Sequence, residues 1–230
     1  MTSTAGLVIF DLDGTLIDTA PDLIDSLNHT IGGAGLAPVS FEDLTHLVGQ
    51  GARTMIARAF ALRDTELQPA HLDELFAVFL AHYRKNMPGR SRPYEGVVAA
   101  MERFEEAGYA LAICTNKSES LARALMVEIG LDHRFRAIIG GDSLPYRKPD
   151  GRHIVATAEA AGASHLRAVM IGDSVNDIEA ARSAGVPSVA VPFGYSDVAV
   201  HDLNPDHVIA HYDELTPALV ERLLAGRRAA

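Results

Sequence analysis

VIFDLDGTLIDTAPDL, residues 8–23, runs from an unbroken apolar stretch straight into Asp11, Asp13 and Asp18. A short apolar run of this kind reads as a strand buried on both faces of a parallel sheet. Gly14 allows the tight turn that follows. Carboxylates crowded at a strand end repel one another, so the arrangement calls for a cation or a basic side chain supplied from elsewhere in the chain.

Working outward, four further apolar runs have the same character: ALAICT (110–115), AIIGG (137–141), AVMIGD (168–173) and SVAVP (188–192). Glycines in EEAGY, VEIGL, EAAGA and RSAGV close helical segments between them, as helix C-termini favour. The alternation predicts an α/β fold with a doubly wound, Rossmann-like parallel sheet. Residues 11–109 separate the first strand from the second, far more chain than a crossover needs. Within that interval Pro21 suits a first helical turn and SFED (40–43) offers a capping-box-like start. Leu72, Leu75, Phe76, Phe79, Leu80 and Tyr83 recur at helical spacing. Residues 17–88 are therefore expected to form an inserted helical cap domain with NMPGRSRP (86–93) as return linker, and residues 1–16 and 89–230 the α/β core.

A chain of 230 residues that is 48% hydrophobic can bury a sizeable core. With 20 Lys plus Arg against 30 Asp plus Glu, its formal charge of −10 argues against nucleic acid or an anionic membrane as a partner. A small anionic substrate would then need a local positive site. The single cysteine, Cys114, excludes an internal disulfide and fits a reducing compartment, so a cytoplasmic location is expected. The N-terminus has no basic region ahead of its apolar run, and no stretch is long enough to span a bilayer. Nothing in the composition speaks to oligomeric state.

In doubly wound sheets ligands bind beyond the carboxyl ends of the strands. That edge is expected to collect Asp11 and Asp13, then Thr115 and Asn116, then Lys148 of RKPD, then Asp173 and Asp177. Carboxylates so gathered suit a hard, oxygen-seeking cation such as Mg²⁺. Two unit charges ~4 Å apart at an effective dielectric near 20 interact by ~4 kcal/mol, so a phosphate dianion would be repelled unless the ion and Lys148 reversed the sign. The groups fit phosphoryl transfer. Asp11 is the candidate nucleophile, Asp13 the candidate acid/base, and Thr15 a hydroxyl able to orient a carboxylate. Thr115, Asn116 and Lys148 would hold the transferring oxygens. Asp18 is expected to cap the following helix rather than bind metal.

FDLDGT, ICTNK, RKPD and GDSVND, in that order, resemble the four motifs of the haloacid dehalogenase-like hydrolase superfamily. The resemblance implies Asp11 as nucleophile, Asp13 as acid/base, Thr115 and Lys148 as phosphate ligands, and a Mg²⁺ site of Asp11, the Asp13 backbone carbonyl and Asp173, with Asp177 beside it. HLVGQGARTMIARAF (46–60), RPYEGV, AGYALAICTNK, GGDSLPYRKPD, GDSVNDIEAARSAGV and FGYS further resemble bacterial phosphoglycolate phosphatases. That implies hydrolysis of 2-phosphoglycolate to glycolate and phosphate through an aspartyl-phosphate. Phosphatases for sugar phosphates, nucleotides or pyrophosphate, phosphomutases and phosphoacceptor signalling modules stand as alternatives.

In the inserted segment, a loop of Gly49, Gln50 and Gly51 followed by Arg53 is expected to lower onto the site, with Gln50 and Arg53 reading the substrate's other end. Gly151 stands where many relatives of this family have proline, and a local backbone effect is expected there. Cys114 reads as a small buried apolar residue. HVIAH, with His207 and His211, reads as a strand and lacks the HExxH zinc pattern.

Overall fold

The structure, a computed structural model, describes residues 4–43 and 51–228. In chain order its strands are β1 (Leu7–Phe10), β2 (Ile17–Asp18), β3 (Arg92–Pro93), β4 (Ala110–Cys114), β5 (Ala137–Ile139), β6 (Ala168–Gly172), β7 (Ser188–Ala190) and β8 (His207–Val208). The helices are α1 (Ala20–Gly33), α2 (Ala52–Ala61), α3 (Pro69–Asn86), α4 (Val97–Glu106), α5 (Glu119–Ile129), α6 (Arg152–Ala160), α7 (Val175–Ala184) and α8 (Pro217–Arg228).

Six strands form one parallel sheet in the order β5-β4-β1-β6-β7-β8. Counting those six alone, the order is 3-2-1-4-5-6, the Rossmann arrangement, whose winding reverses between β1 and β6. The apolar runs expected as strands supply the first five, and HVIAH supplies the edge.

Alternate residues of each strand feed two cores. Val8, Phe10, Leu111, Ile113, Val169 and Ile171 pack with Phe104 of α4, Leu125 of α5 and Val220 of α8. Leu7, Ile9, Ala112, Cys114 and Met170 pack with Ile154 and Ala158 of α6 and Ala180 and Ala181 of α7. The second face is alanine-rich and lets backbones approach closely. Gly151, at the start of α6, shows how closely: a Cβ there would lie 2.5 Å from the Ala184 backbone nitrogen at the end of α7. The departure at this position is thus a packing feature of two helices.

Helices α1, α2 and α3 leave the sheet and build a third cluster of their own around Leu27, Ile31, Ile56, Ala59, Phe79 and Tyr83. Leu121 of α5 joins it, so the helical insertion rests against the start of α5. The reciprocal bonds of SFED are present, Ser40 N–H to Asp43 Oδ2 at 2.8 Å and Asp43 N–H to Ser40 Oγ at 3.3 Å. The residues they would lead into, Gly49 and Gln50 included, lie outside the described residues.

The chain enters and leaves the insertion through an antiparallel ribbon in which Ile17 pairs Pro93 and Asp18 pairs Arg92. Asp22, buried in the first turn of α1, ties the return crossing down by accepting from Arg90 N (2.9 Å), Ser91 N (3.0 Å) and Ser91 Oγ (2.5 Å). Among the described residues no helix is long and apolar enough to cross a membrane.

Candidate active site

The winding reversal opens a crevice between the ends of β1 and β6. Asp11 follows β1 and donates its backbone N–H to Ile171 O at 2.9 Å, which fixes its position against β6. Asp173 follows β6, and Asp177 lies one turn into α7. One carboxylate oxygen from each of Asp11, Asp173 and Asp177 lies within 4.8 Å of the others.

Each carboxylate is held differently. Asp177, fully buried, accepts from Ser174 N (3.0 Å) and Ser174 Oγ (2.7 Å) through Oδ2, the capping box of α7. Its Oδ1 accepts from Lys148 Nζ at 2.6 Å. Asp173 accepts from Thr15 Oγ1 (3.1 Å) and from the Tyr195 backbone N–H (2.7 Å). Gly14 makes room for it: the residue has φ +82°, and a Cβ would sit 2.5 Å from Asp173 Oδ2. Asp11 Oδ1 lies 2.9 Å from Lys148 Nζ but finds no well-aligned hydrogen bond, leaving a buried oxygen with acceptor capacity to spare.

Burial pushes the Asp11 carboxyl up to about 6, with Lys148 pulling it down and Asp177 adding to the rise. Burial, then Asp177 and Asp11, push Asp173 up to about 8. Burial opposes the Lys148 ammonium, but Asp11 and Asp177 outweigh it and hold its pKa above the usual value. With all three carboxylates ionised, one ammonium leaves two negative charges in a buried space, and within 4.8 Å each like-charged pair costs at least about 3.5 kcal/mol at an effective dielectric near 20, a repulsion that the raised Asp11 and Asp173 values register. An oxygen donor set with that residual charge and an orphaned carboxylate oxygen fits a hard divalent cation.

The residues expected to bind phosphate follow β4 and β5. Thr115 N–H donates to Ile139 O at 3.0 Å, and the Thr115 hydroxyl accepts from Lys117 N–H at 3.2 Å. Asn116 Nδ2 donates to Lys148 O at 3.1 Å, while its buried Oδ1 has no partner among the described residues. His153, fully buried in α6, braces Lys148. Its Nδ1 accepts from Lys148 N–H at 3.2 Å and its Nε2 donates to Gly140 O at 3.1 Å, partners that together fix a neutral tautomer. Burial first, then the Lys148 charge, depress its pKa to about 4.

Asp13 turns its side chain away from the triad. Its Oδ1 accepts from Thr19 Oγ1 (2.7 Å) and from Lys117 Nζ (2.8 Å). Lys117 is a residue that sequence reasoning passed over, although it stands in the ICTNK motif two places after Thr115, where an extended chain would return to the same side. Burial works against its charge, but Asp13 holds the ammonium above its usual pKa. The ammonium also lies 4.5 Å over the Tyr83 ring of α3. A second omission is Tyr195 of FGYS, whose hydroxyl donates to Asp18 Oδ1 (2.5 Å) and accepts from Ala20 N–H (2.9 Å). Asp18 also accepts from Ala20 N–H at 3.3 Å, a contact with the start of α1. Cys114 is buried beneath the site, and burial pushes its thiol up to about 12.

A cavity of about 430 Å³ lies over these groups, lined by Asp11, Asp13, Thr115 and Asp173 below and by Arg53, Arg58 and Tyr83 of the helical insertion above. Arg53 is ion-paired with Asp73, and its guanidinium stacks 4.3 Å over the Phe76 ring.

Residues 8–191 match the family model described as haloacid dehalogenase-like hydrolase. The chain belongs to this family. As a haloacid dehalogenase-like hydrolase it is 57% identical to a phosphoglycolate phosphatase of Agrobacterium fabrum, covering 97% of this chain and 96% of that protein. It is 51% identical to one of Mesorhizobium japonicum over 95% of this chain and 96% of the relative. The crystal structure of a predicted phosphoglycolate phosphatase from Haemophilus somnus superposes with a TM-score of 0.86 at 30% identity, covering 94% of this chain and 98% of that one. This hydrolase is therefore an enzyme of the phosphoric monoester hydrolase class.

Proposed function

We propose that the protein is a Mg²⁺-dependent phosphatase that hydrolyses 2-phosphoglycolate to glycolate and phosphate through an aspartyl-phosphate. The observation that carries this reading is the cluster of Asp11, Asp173 and Asp177, countered among the described residues by Lys148, beneath a cavity of small-molecule size. The similarity to phosphoglycolate phosphatases supports the substrate.

The Asp11 carboxylate, with a pKa of about 6, is mainly ionised at neutral pH and needs no base. It forms a bond to phosphorus as the ester P–O bond breaks, and Asp13 gives a proton to the departing oxygen. Asp13 then takes a proton from a water that attacks phosphorus, and Asp11 is released. Thr115, Asn116 and Lys148 hold the phosphoryl oxygens as their charge redistributes. Asp11 and Asp173, with the Asp13 backbone carbonyl, would hold Mg²⁺, and Thr15 and Asp177 would keep the carboxylates aligned. When bound, the ion supplies the positive charge that lets a dianion approach.

Residues 17–88 act as a cap on the core formed by 1–16 and 89–230. The cap keeps bulk water from the aspartyl-phosphate and limits substrates to small phosphorylated metabolites. Arg53 lines the cavity from the cap, and Arg53 and Gln50 are the cap residues assigned to reading the substrate's other end. The lone buried cysteine fits a cytoplasmic setting.

A phosphate-release screen over 2-phosphoglycolate, sugar phosphates, nucleotides and pyrophosphate tests the reading. The highest kcat/KM belongs to 2-phosphoglycolate with Mg²⁺ present. A sugar phosphate that is isomerised without releasing phosphate would replace hydrolysis by mutase chemistry.

A further inference from the structure

The cavity receives three guanidiniums, Arg53 and Arg58 from α2 and Arg147 from the loop between β5 and α6. Arg53 is taken up by Asp73 and the Phe76 ring, and Arg58 has interactions of its own. The Arg147 side chain has no ion pair or hydrogen bond among the described residues.

Its backbone, by contrast, is fixed on both sides. Tyr146 lies under the Arg152 guanidinium at 4.4 Å, and Arg152 is forked onto Asp150. Lys148 is held by His153, Asn116, Asp11 and Asp177. Arg147 therefore projects from a braced loop immediately beside the lysine that grips phosphate. Its Nη1 and the Asn116 carbonyl oxygen both lie 3.9 Å from the point where a Gly51 Cβ would stand. The guanidinium thus sits above the phosphate loop, at the seam where the start of α2 meets the core.

We propose that Arg147 determines substrate specificity by gripping the carboxylate at the end of the substrate remote from phosphorus. The inference rests on the reading of the substrate as a carboxylated phosphoester. In 2-phosphoglycolate only three bonds separate phosphorus from the carboxylate carbon, so the group that reads the carboxylate must sit close to the groups that hold phosphate. Arg147 Nη1 and the Asn116 carbonyl oxygen each lie 3.9 Å from one point, so the guanidinium is within about 8 Å of the loop assigned to phosphate and meets that requirement. A guanidinium offers the two parallel N–H groups that a carboxylate accepts, a match an ammonium lacks. Arg53, on the opposite wall, must first leave Asp73 to do the same.

The test compares kcat/KM for 2-phosphoglycolate, ethyl phosphate and phosphoethanolamine in wild type, Arg147→Ala, Arg147→Lys and Arg147→Glu. Wild type prefers 2-phosphoglycolate over ethyl phosphate. Arg147→Ala loses about 10- to 100-fold on 2-phosphoglycolate, the range of a charge-assisted contact, while ethyl phosphate stays within about threefold. Arg147→Lys recovers part of the loss, and Arg147→Glu shifts preference towards the cationic phosphoethanolamine. An Arg147→Ala enzyme that keeps the wild-type preference overturns the inference alone. A wild type with no preference overturns the substrate reading and the inference together. Arg147 is exposed, so all three variants fold, and far-ultraviolet circular dichroism verifies it.

Discussion

Acid should weaken this protein through His153. The unfolded chain protonates this histidine near 6.5, whereas burial and the Lys148 charge lower the folded value to about 4. Between those pH values the unfolded state binds more protons, so stability falls as pH falls. The contribution is fully present above pH 6.5 and gone below about 4. At ~1.36 kcal/mol per unit, that separation is worth on the order of 3 kcal/mol, a large share of the roughly 5–15 kcal/mol that holds a folded domain together. Protonation would also put a hydrogen on Nδ1, facing the Lys148 N–H it now accepts from, so the loop carrying Lys148 should loosen as the stability drops. Urea unfolding of wild type and His153→Gln at intervals from pH 7.5 to 4 measures the effect, because carboxylate titration is common to both proteins and cancels in the difference. The variant is less stable at pH 7.5, and the gap closes towards pH 4. Parallel curves across the whole range would refute the argument, since they would mean that His153 titrates alike in both states.

Asp11→Asn folds normally and turns over at less than about a thousandth of the wild-type rate, because acid/base help alone is worth only about 10² to 10⁴; single-turnover phosphate release checks it. Chelation with EDTA stops hydrolysis and Mg²⁺ restores it. The same titration, followed by thermal melting, raises the midpoint by the equivalent of about 2.7 kcal/mol at 100 times Kd, an increase that Asp173→Asn diminishes. Lys117→Met leaves Asp13 with Thr19 alone, so kcat falls about 10- to 100-fold with little change in KM and Lys117→Arg recovers part of it; a change confined to KM would point instead to substrate binding.

Most of the parallel sheet could be read from sequence because five of its six strands lie in apolar runs packed on both faces, a pattern that survives without knowledge of the partners. Asp11, Lys148 and Asp173 were legible for a related reason: each stands at the end of such a run or in the loop after it, and the strand order carries them to one edge. Lys117 and Tyr195 were in quoted motifs yet acquired no role. Their significance lies in contacts that only the fold brings together, Lys117 with Asp13 across neighbouring strand ends and Tyr195 with Asp18 at the start of the insertion. The ribbon of β2 and β3 has two residues per strand, too short for any alternation to register. Asp22 is one more acidic residue in the first turn of a helix, and only the fold shows it holding the Ser91 hydroxyl and two backbone N–H groups. Gly151 could be recognised as unusual, but its reason, the backbone of α7 pressed against it, is invisible without coordinates.

The pairing of Asp18 with Arg92 brings the two ends of a long excursion to neighbouring positions, a separation of about 5 Å between Cα atoms in any antiparallel ladder. A two-residue hairpin turn could join them directly. The stretch between them could therefore be exchanged or shortened without rethreading a single strand of the sheet beneath. Selectivity for the substrate can diverge among such enzymes while the chemical machinery below stays as it is.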